Sequence, residues 1–410
     1  MTTAELFFDV VFVFAFIQVT TLMTEQGAIG VVRGLLVLTL LWWSWSLFAW
    51  LTNRVSANYG LSLLVILAVT PVLFVQAVTI RQVFQDGPAG VDGTLWFIAC
   101  YVTVRVLYLA LRLYVTPKLG VAGLAALTLP MVVATGLLLT AALLPRTGLP
   151  SWRVGVGQVV LWALAVAVDY GFGMALPVPA REVYSARHWA ERHNLIVIVA
   201  LGELLVAVGT AGASLPFTPR LLAASALAVV VAGALEWIYF DLSTLTGEDS
   251  LRAAHRARRV ALARDGYTYL HLPMIAGIML LALGLKHTPS LVGNPGADGD
   301  ALDALGRHAL YGGAALFLLA HAAFQWRLSR TARAVVWPRL STACLLLALA
   351  PVTARISALS ALALLALICL VTAVIEFMVS RPQRRRLRAA LDAEDAAAGE
   401  GDATVGGSTA

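Results

Sequence analysis

Charge is the scarcest commodity in this sequence. Only 13% of its 410 residues are Asp, Glu, Lys or Arg, against about 25% in a typical soluble domain. Lysine is almost missing, with Lys118 and Lys286 the only two. A chain so poor in charge cannot cover itself with polar surface in water, which excludes the soluble globular class. Its net charge of +6 then calls for a membrane explanation, and nucleic acid is not expected as a partner. Cysteine is nearly as rare. Cys100, Cys344 and Cys369 all fall in apolar runs without metal-ligand spacing, so buried free thiols are expected and no metal site is. There is no P-loop, no Gly-rich dinucleotide fingerprint, no H-E-x-x-H zinc motif, no Asp-rich diphosphate motif and no G-x-S-x-G elbow, and no cofactor is expected. The start of the chain carries no positively charged leader, so its first apolar run reads as a retained span.

Apolar residues make up 60% of the sequence, and the mean hydropathy is +0.83. A membrane-spanning helix needs about 20 mostly apolar residues. Such runs predict an all-α, polytopic transmembrane bundle of twelve spans: 6–24, 31–51, 61–80, 94–113, 121–144, 154–176, 192–211, 220–240, 267–285, 308–326, 335–351 and 356–379. Turn chemistry marks several of the gaps, at Gly87-Pro88, Pro177-Val178-Pro179, Pro216 to Pro219 and Pro289 to Asp303. The expected organisation is 1–212 for the first six spans plus the span seven entry region, 213–380 for the remaining spans of one continuous membrane domain, and 381–410 for a basic anchor and a disordered cytoplasmic tail.

Positive charge orients the bundle. With the amino terminus inside, 19 Lys and Arg residues fall in inner loops and the carboxyl tail and eight in outer loops, which obeys the positive-inside rule. Both termini are therefore expected in the cytoplasm, and the acids Asp298, Asp300 and Asp303 outside. Twelve spans with both ends inside permit two six-span halves of the same orientation, an arrangement known in transporters. Span one opens with Glu5 and span seven follows Glu191, while Trp42-Trp43-Ser44-Trp45 and Glu236-Trp237-Ile238-Tyr239 occupy spans two and eight. Interfacial aromatics recur in apolar helices in any case, so the repeat stays open.

Glu5 and Asp9 stand four residues apart, on one helical face at the mouth of the first span. A carboxylate in hydrocarbon costs about 2.5 kcal/mol or more, so Asp9 has to be neutralised, hydrated or used. Glu5 reads as a helix cap. Helical rise places Asp9 about 6 Å, Arg105 about 12 Å, Asp169 about 10 Å and Glu236 about 6 Å from the inner ends of their spans, with His271 and His321 at about 6–8 Å. Glu203 lies deeper, about 18 Å from the start of span seven. Ionisable groups inside a membrane mark functional sites by default, so these seven residues are the candidate ion- or substrate-binding set. Together they predict a polar vestibule open to the cytoplasm with Glu203 at its floor. Each has a structural alternative: Arg105 neutralising Asp9 or Asp169, His271 satisfying a carbonyl freed by Pro273, Glu236 as a hydrated helix end.

Three motifs carry a family resemblance. Glu5-Leu6-Phe7-Phe8-Asp9 with its apolar continuation, Glu191-Arg192-His193-Asn194 leading to Ala200-Leu201-Gly202-Glu203, and Tyr269-Leu270-His271-Leu272-Pro273 together resemble the bacterial low temperature requirement protein A family, over all twelve spans. The resemblance implies a multi-pass protein of the bacterial cytoplasmic membrane and names no reaction. Family members usually carry more residues ahead of the first motif than the four found here. Phe7-Phe8-Asp9 and the span count are also loosely similar to a family of lysosomal and bacterial potassium channels, from which no pore residue is carried over. Three functions remain open: a transporter or channel for an ion or small solute, with the lipid bilayer as its other partner; an intramembrane enzyme acting on a lipid or isoprenoid; and a structural or regulatory membrane protein.

Overall fold

The computed structural model describes the chain except for residues 56, 85–91, 118, 176–182, 213–217, 242, 287–300, 329–332 and 407–410. The turns expected at Gly87-Pro88, Pro177-Val178-Pro179 and Pro216, and the acids Asp298 and Asp300, lie outside the described residues. The described residues contain helices and no strand. In chain order the helices are α1 (Thr3–Thr52), α2 (Gly60–Thr79), α3 (Gly93–Val115), α4 (Val121–Leu143), α5 (Ser151–Ala175), α6 (Ala186–Gly212), α7 (Pro219–Phe240), the short α8 (Ser243–Ala253) and α9 (Arg256–Leu262), then α10 (His271–Lys286), α11 (Ala304–Leu328), α12 (Arg333–Leu349) and α13 (Ala358–Gly406).

Ten of these elements are long and apolar enough to cross a membrane. One of them, α1, holds two spans. At Gly27 the backbone leaves helical geometry (φ 60°, ψ −140°), a region that only glycine enters without strain. The chain turns back there, so Phe8 meets Phe48 with ring centroids 5.6 Å apart and the Trp45 indole reaches Asp9. With the shorter apolar helix α12, the count agrees with the twelve spans read from sequence. Close packing of α10 on α11 shows why glycines sit there. A Cβ on Gly277 would lie 2.7 Å from the Gly313 carbonyl oxygen, and one on Gly313 2.5 Å from the Leu281 nitrogen. Helices approach this closely in a membrane only through such small residues.

Three local departures from the sequence reading bear on the site. Helix α6 begins at Ala186, six residues before the span expected at 192, because the Ser185 hydroxyl caps it by accepting from the His188 amide at 3.1 Å. Ahead of α10, Ala263–Tyr269 winds as a π-helix, with the Leu270 amide donating to the Asp265 carbonyl at 3.2 Å. Finally, the segment expected to be a disordered tail continues α13 past Pro382 to Gly406. Its Ala, Leu, Arg and Glu residues have high helix propensity, and the apolar span before it supplies the nucleus that an isolated helix lacks.

Candidate functional site

The first leg of α1 and helix α6 lie parallel and in register: three hydrogen-bonded contacts between them span the same sequence separation of 183, with a longer Arg192–Glu5 ion pair at 3.7 Å beside them. The His188 Nε2 donates to Glu5 at 3.0 Å. The Arg192 Nη2 donates to Asp9 Oδ1 at 2.9 Å. The Thr20 hydroxyl donates to Glu203 Oε1 at 2.6 Å. Glu5 to Asp9 is four residues and Asp9 to Thr20 eleven, about one and three helical turns, so all three lie along one face. Between the two ends the contact is dry, with Phe12, Phe16, Ile196 and Ala200 buried.

At the end where the chain starts, Glu5 closes a capping box with Thr2 and also accepts from His188. Asn53, just past α1, ties the same corner. Its amide nitrogen donates to the Ser185 carbonyl at 2.8 Å and lies 3.3 Å from His188 Nδ1, leaving the ring's Nε2 as donor to Glu5. Asp9 is fully enclosed. Besides Arg192 it accepts from the Trp45 indole at 2.8 Å, and the Arg192 guanidinium lies over the Phe8 and Trp45 rings at 5.7 and 5.5 Å. Asp9 Oδ2 and Arg192 Nε have no hydrogen-bond partner among the described residues.

At the opposite end Lys286, the last residue of α10, donates to both Glu203 Oε1 at 2.6 Å and Thr20 Oγ1 at 2.5 Å. The Glu203 side chain is 1% exposed and that of Lys286 13%, so the pair sits just inside the bundle. Its second carboxylate oxygen, Oε2, is buried without a partner among the described residues. Counted from Ala186, Glu203 is about 26 Å along α6. It therefore belongs to the far half of the bundle, and the expected placement as the floor of a vestibule near mid-membrane is corrected. The longer amino-terminal extent of α6 is the reason.

The remaining candidates fall into separate groups instead of lining one cavity. Arg105 pairs with Asp169 at 3.0 Å, and of its two expected partners it does not take Asp9. Tyr101 donates to the second oxygen of Asp169. A pocket of about 30 Å³ between α3, α4 and α5 touches this pair, room for about one water. His271 and His321 sit in an aromatic cluster. His271 Nδ1 donates to the Gly266 carbonyl at 3.1 Å, so its Nε2 accepts from the Tyr239 hydroxyl at 2.8 Å. Tyr267 stacks on His271 with centroids 5.2 Å apart, and His321 lies 5.3 Å from Tyr239. The carbonyl satisfied by His271 is one that the π-helix frees, one turn earlier than the Pro273 argument expected. The neighbouring Thr268 carbonyl accepts from the Trp42 indole at 2.7 Å, which binds the π-helix to the Trp-rich second leg of α1. Glu236 is exposed on α7 and joins none of these groups.

Several members of the site escaped the sequence reading. Arg192, the partner of Asp9, and Lys286, the partner of Glu203, stand at span ends, where a positive charge reads as a loop residue. His193 is fully buried beside Trp45 and His271, at 4.9 and 5.2 Å between ring centroids. Arg339 and Glu376 form a two-pronged buried pair with both bonds at 2.8 Å. A usable signal did exist: Glu5/Asp9 and His188/Arg192 show the same four-residue spacing, acids in one segment and nitrogen donors in the other. Among the described residues no three His, Cys, Asp or Glu side chains are grouped to hold a metal ion.

The model of the bacterial low temperature requirement A protein matches residues 1–374 of this chain. An uncharacterized protein of Rhizobium meliloti (strain 1021) is 28% identical over 292 residues, covering 68% of this chain and 67% of its own length. No solved structure matches the chain.

Proposed function

This chain belongs to the bacterial low temperature requirement A family, and on that footing we propose that it is a transporter or channel for an ion or small solute. The observation that carries this reading is the Thr20–Glu203–Lys286 triad. A carboxylate buried in a membrane protein is costly unless it is paired or used, and Glu203 is paired through only one of its oxygens. On this reading the buried Oε2, bare among the described residues, is the acceptor for a proton or a cation, and Lys286 supplies the positive charge that yields when one arrives. Asp9 and Arg192 form the matching centre at the other end of the same helix pair. A dry stretch of about 16 Å separates the two, as in a carrier whose ends open in turn. The excess of positive loops assigns the chain start and both termini to the cytoplasmic side of the bacterial membrane.

The enzyme reading has less support, because the acid and histidine candidates fall into separate groups, Asp9 with Arg192, Arg105 with Asp169, and His271 with His321. The test is solute- and ion-gradient-driven flux in proteoliposomes, screened over protons, alkali cations and small organic solutes. Glu203→Gln removes the charge and keeps the shape, so it should abolish flux in a protein that still elutes as a folded species. Flux equal to wild type would refute the role of Glu203. No flux of any kind in the wild-type protein across that panel would overturn the transport reading.

A further inference from the structure

One cavity lies away from the charge centres, on the outside of the bundle between the first leg of α1 and the end of α2. It encloses about 420 Å³ and is lined by Phe14, Gln18, Glu25, Val78, Arg81 and Gln82, a volume within the range of small-ligand sites. Apolar side chains flank it: Phe14 and Val78 lie in its lining, Phe14 stacks on Phe74 with centroids 5.0 Å apart, and Phe74 and Val78 are 46% and 48% exposed on the outer surface of the bundle. Its mouth is polar and dipolar. Glu25 and Arg81 form an ion pair across it, and the amides of Gln18 and Gln82 make no hydrogen bond among the described residues.

We propose that this cavity binds the headgroup of an aminophospholipid from the leaflet opposite the chain start. A site with one acid and one base in contact has no net charge to offer a simple anion or cation. A dipolar headgroup can lie antiparallel to the Glu25–Arg81 pair and satisfy both groups at once. Its phosphate takes Arg81 and the two amides, since Arg donors match phosphate oxygens in geometry and charge. Its primary ammonium brings three N–H donors to Glu25. A choline headgroup carries the same charge and no N–H, and a glycerol headgroup has no cation, so ethanolamine is selected over both. The acyl chains run along the exposed Phe74 and Val78 ridge, which is why the ligand is a lipid and not a free zwitterion.

Native mass spectrometry on the delipidated full-length protein tests this. Titrations with phosphatidylethanolamine, phosphatidylcholine, phosphatidylglycerol and soluble glycerophosphoethanolamine separate headgroup from chain. The ethanolamine lipid should bind about tenfold more tightly than the choline or glycerol lipid, the scale of one charged hydrogen bond, and the soluble headgroup should bind far more weakly than the lipid. Glu25→Gln should erase the preference for ethanolamine over choline, and Arg81→Gln should weaken all three lipids. Val78→Trp, which fills the cavity without touching the charges, should block binding and serves if either charge variant fails to fold. Equal binding of the three lipids, a preference unchanged in the variants, or equal binding of the soluble headgroup would overturn the proposal.

Discussion

Removing Arg192 while leaving Asp9 should be far more damaging than removing both. Asp9 and Arg192 are each about 1% exposed, and Arg192 holds Asp9 through a 2.9 Å bond. Arg192→Leu leaves the carboxylate with only the Trp45 indole. Breaking a buried pair from one side costs about 3–5 kcal/mol, and the lost contact of the guanidinium with the Phe8 and Trp45 rings adds about 0.5–2 kcal/mol. The double variant Asp9→Leu/Arg192→Leu removes both desolvated charges. It leaves only the Trp45 N–H unsatisfied, a penalty of about 1–3 kcal/mol. The double variant should thus be more stable than Arg192→Leu by about 2 kcal/mol or more. Equilibrium unfolding in bicelles or mixed detergent micelles, read through a double-mutant cycle, measures the difference. An Arg192→Leu protein as stable as wild type, or a double variant no better than the single, would refute the claim that the charges are buried against each other.

Other outcomes follow from geometry already described. Gly27→Ala should cost about 1–3 kcal/mol, because the turn holds φ at 60°; unfolding midpoints would report it, and an unchanged midpoint would mean the legs of α1 turn elsewhere. Gly313→Ala should destabilise by about 1–3 kcal/mol through overpacking, while Gly312→Ala, with no atom within 4 Å of the new Cβ, should be near neutral; comparing the two thermal melts isolates the α10–α11 contact from helix propensity. Tyr101→Phe removes one of the two partners of the buried Asp169 and should cost about 1.5–3 kcal/mol, whereas Tyr114→Phe at an exposed position on the same helix should not move the midpoint.

The bundle was legible in the sequence because hydrocarbon allows little else: long apolar runs must become helices that satisfy their own backbone. The turn at Gly27 was legible only as a gap after Thr24-Glu25-Gln26, since nothing in hydropathy marks which residue in it makes the reversal. The candidate acids were visible as charges in apolar runs. Their partners were not, because Arg192 and Lys286 stand at span ends, where a charge reads as a loop residue. Depth was misjudged for Glu203 for a related reason. The apolar count begins the span at 192, whereas the Ser185 cap begins the helix at Ala186, about a turn and a half earlier, and a polar first turn is invisible to an apolar count. The π-helix ahead of α10 has no hydropathy signature at all, and it decides which carbonyls Trp42 and His271 satisfy.

The shared separation of 183 between α1 and α6 constrains how the two ends can move. Sliding one helix along the other by a single turn would break the Glu5–His188, Asp9–Arg192 and Thr20–Glu203 contacts together, because all three sit on one ruler. Rotating either helix about its axis would do the same, since they share one face. A tilt is different: pivoting on the dry contact around Phe12, Phe16, Ile196 and Ala200 parts the contacts at one end while pressing those at the other. Of the simple rigid motions, this register therefore permits rocking about the apolar middle, in which one end would close as the other opens.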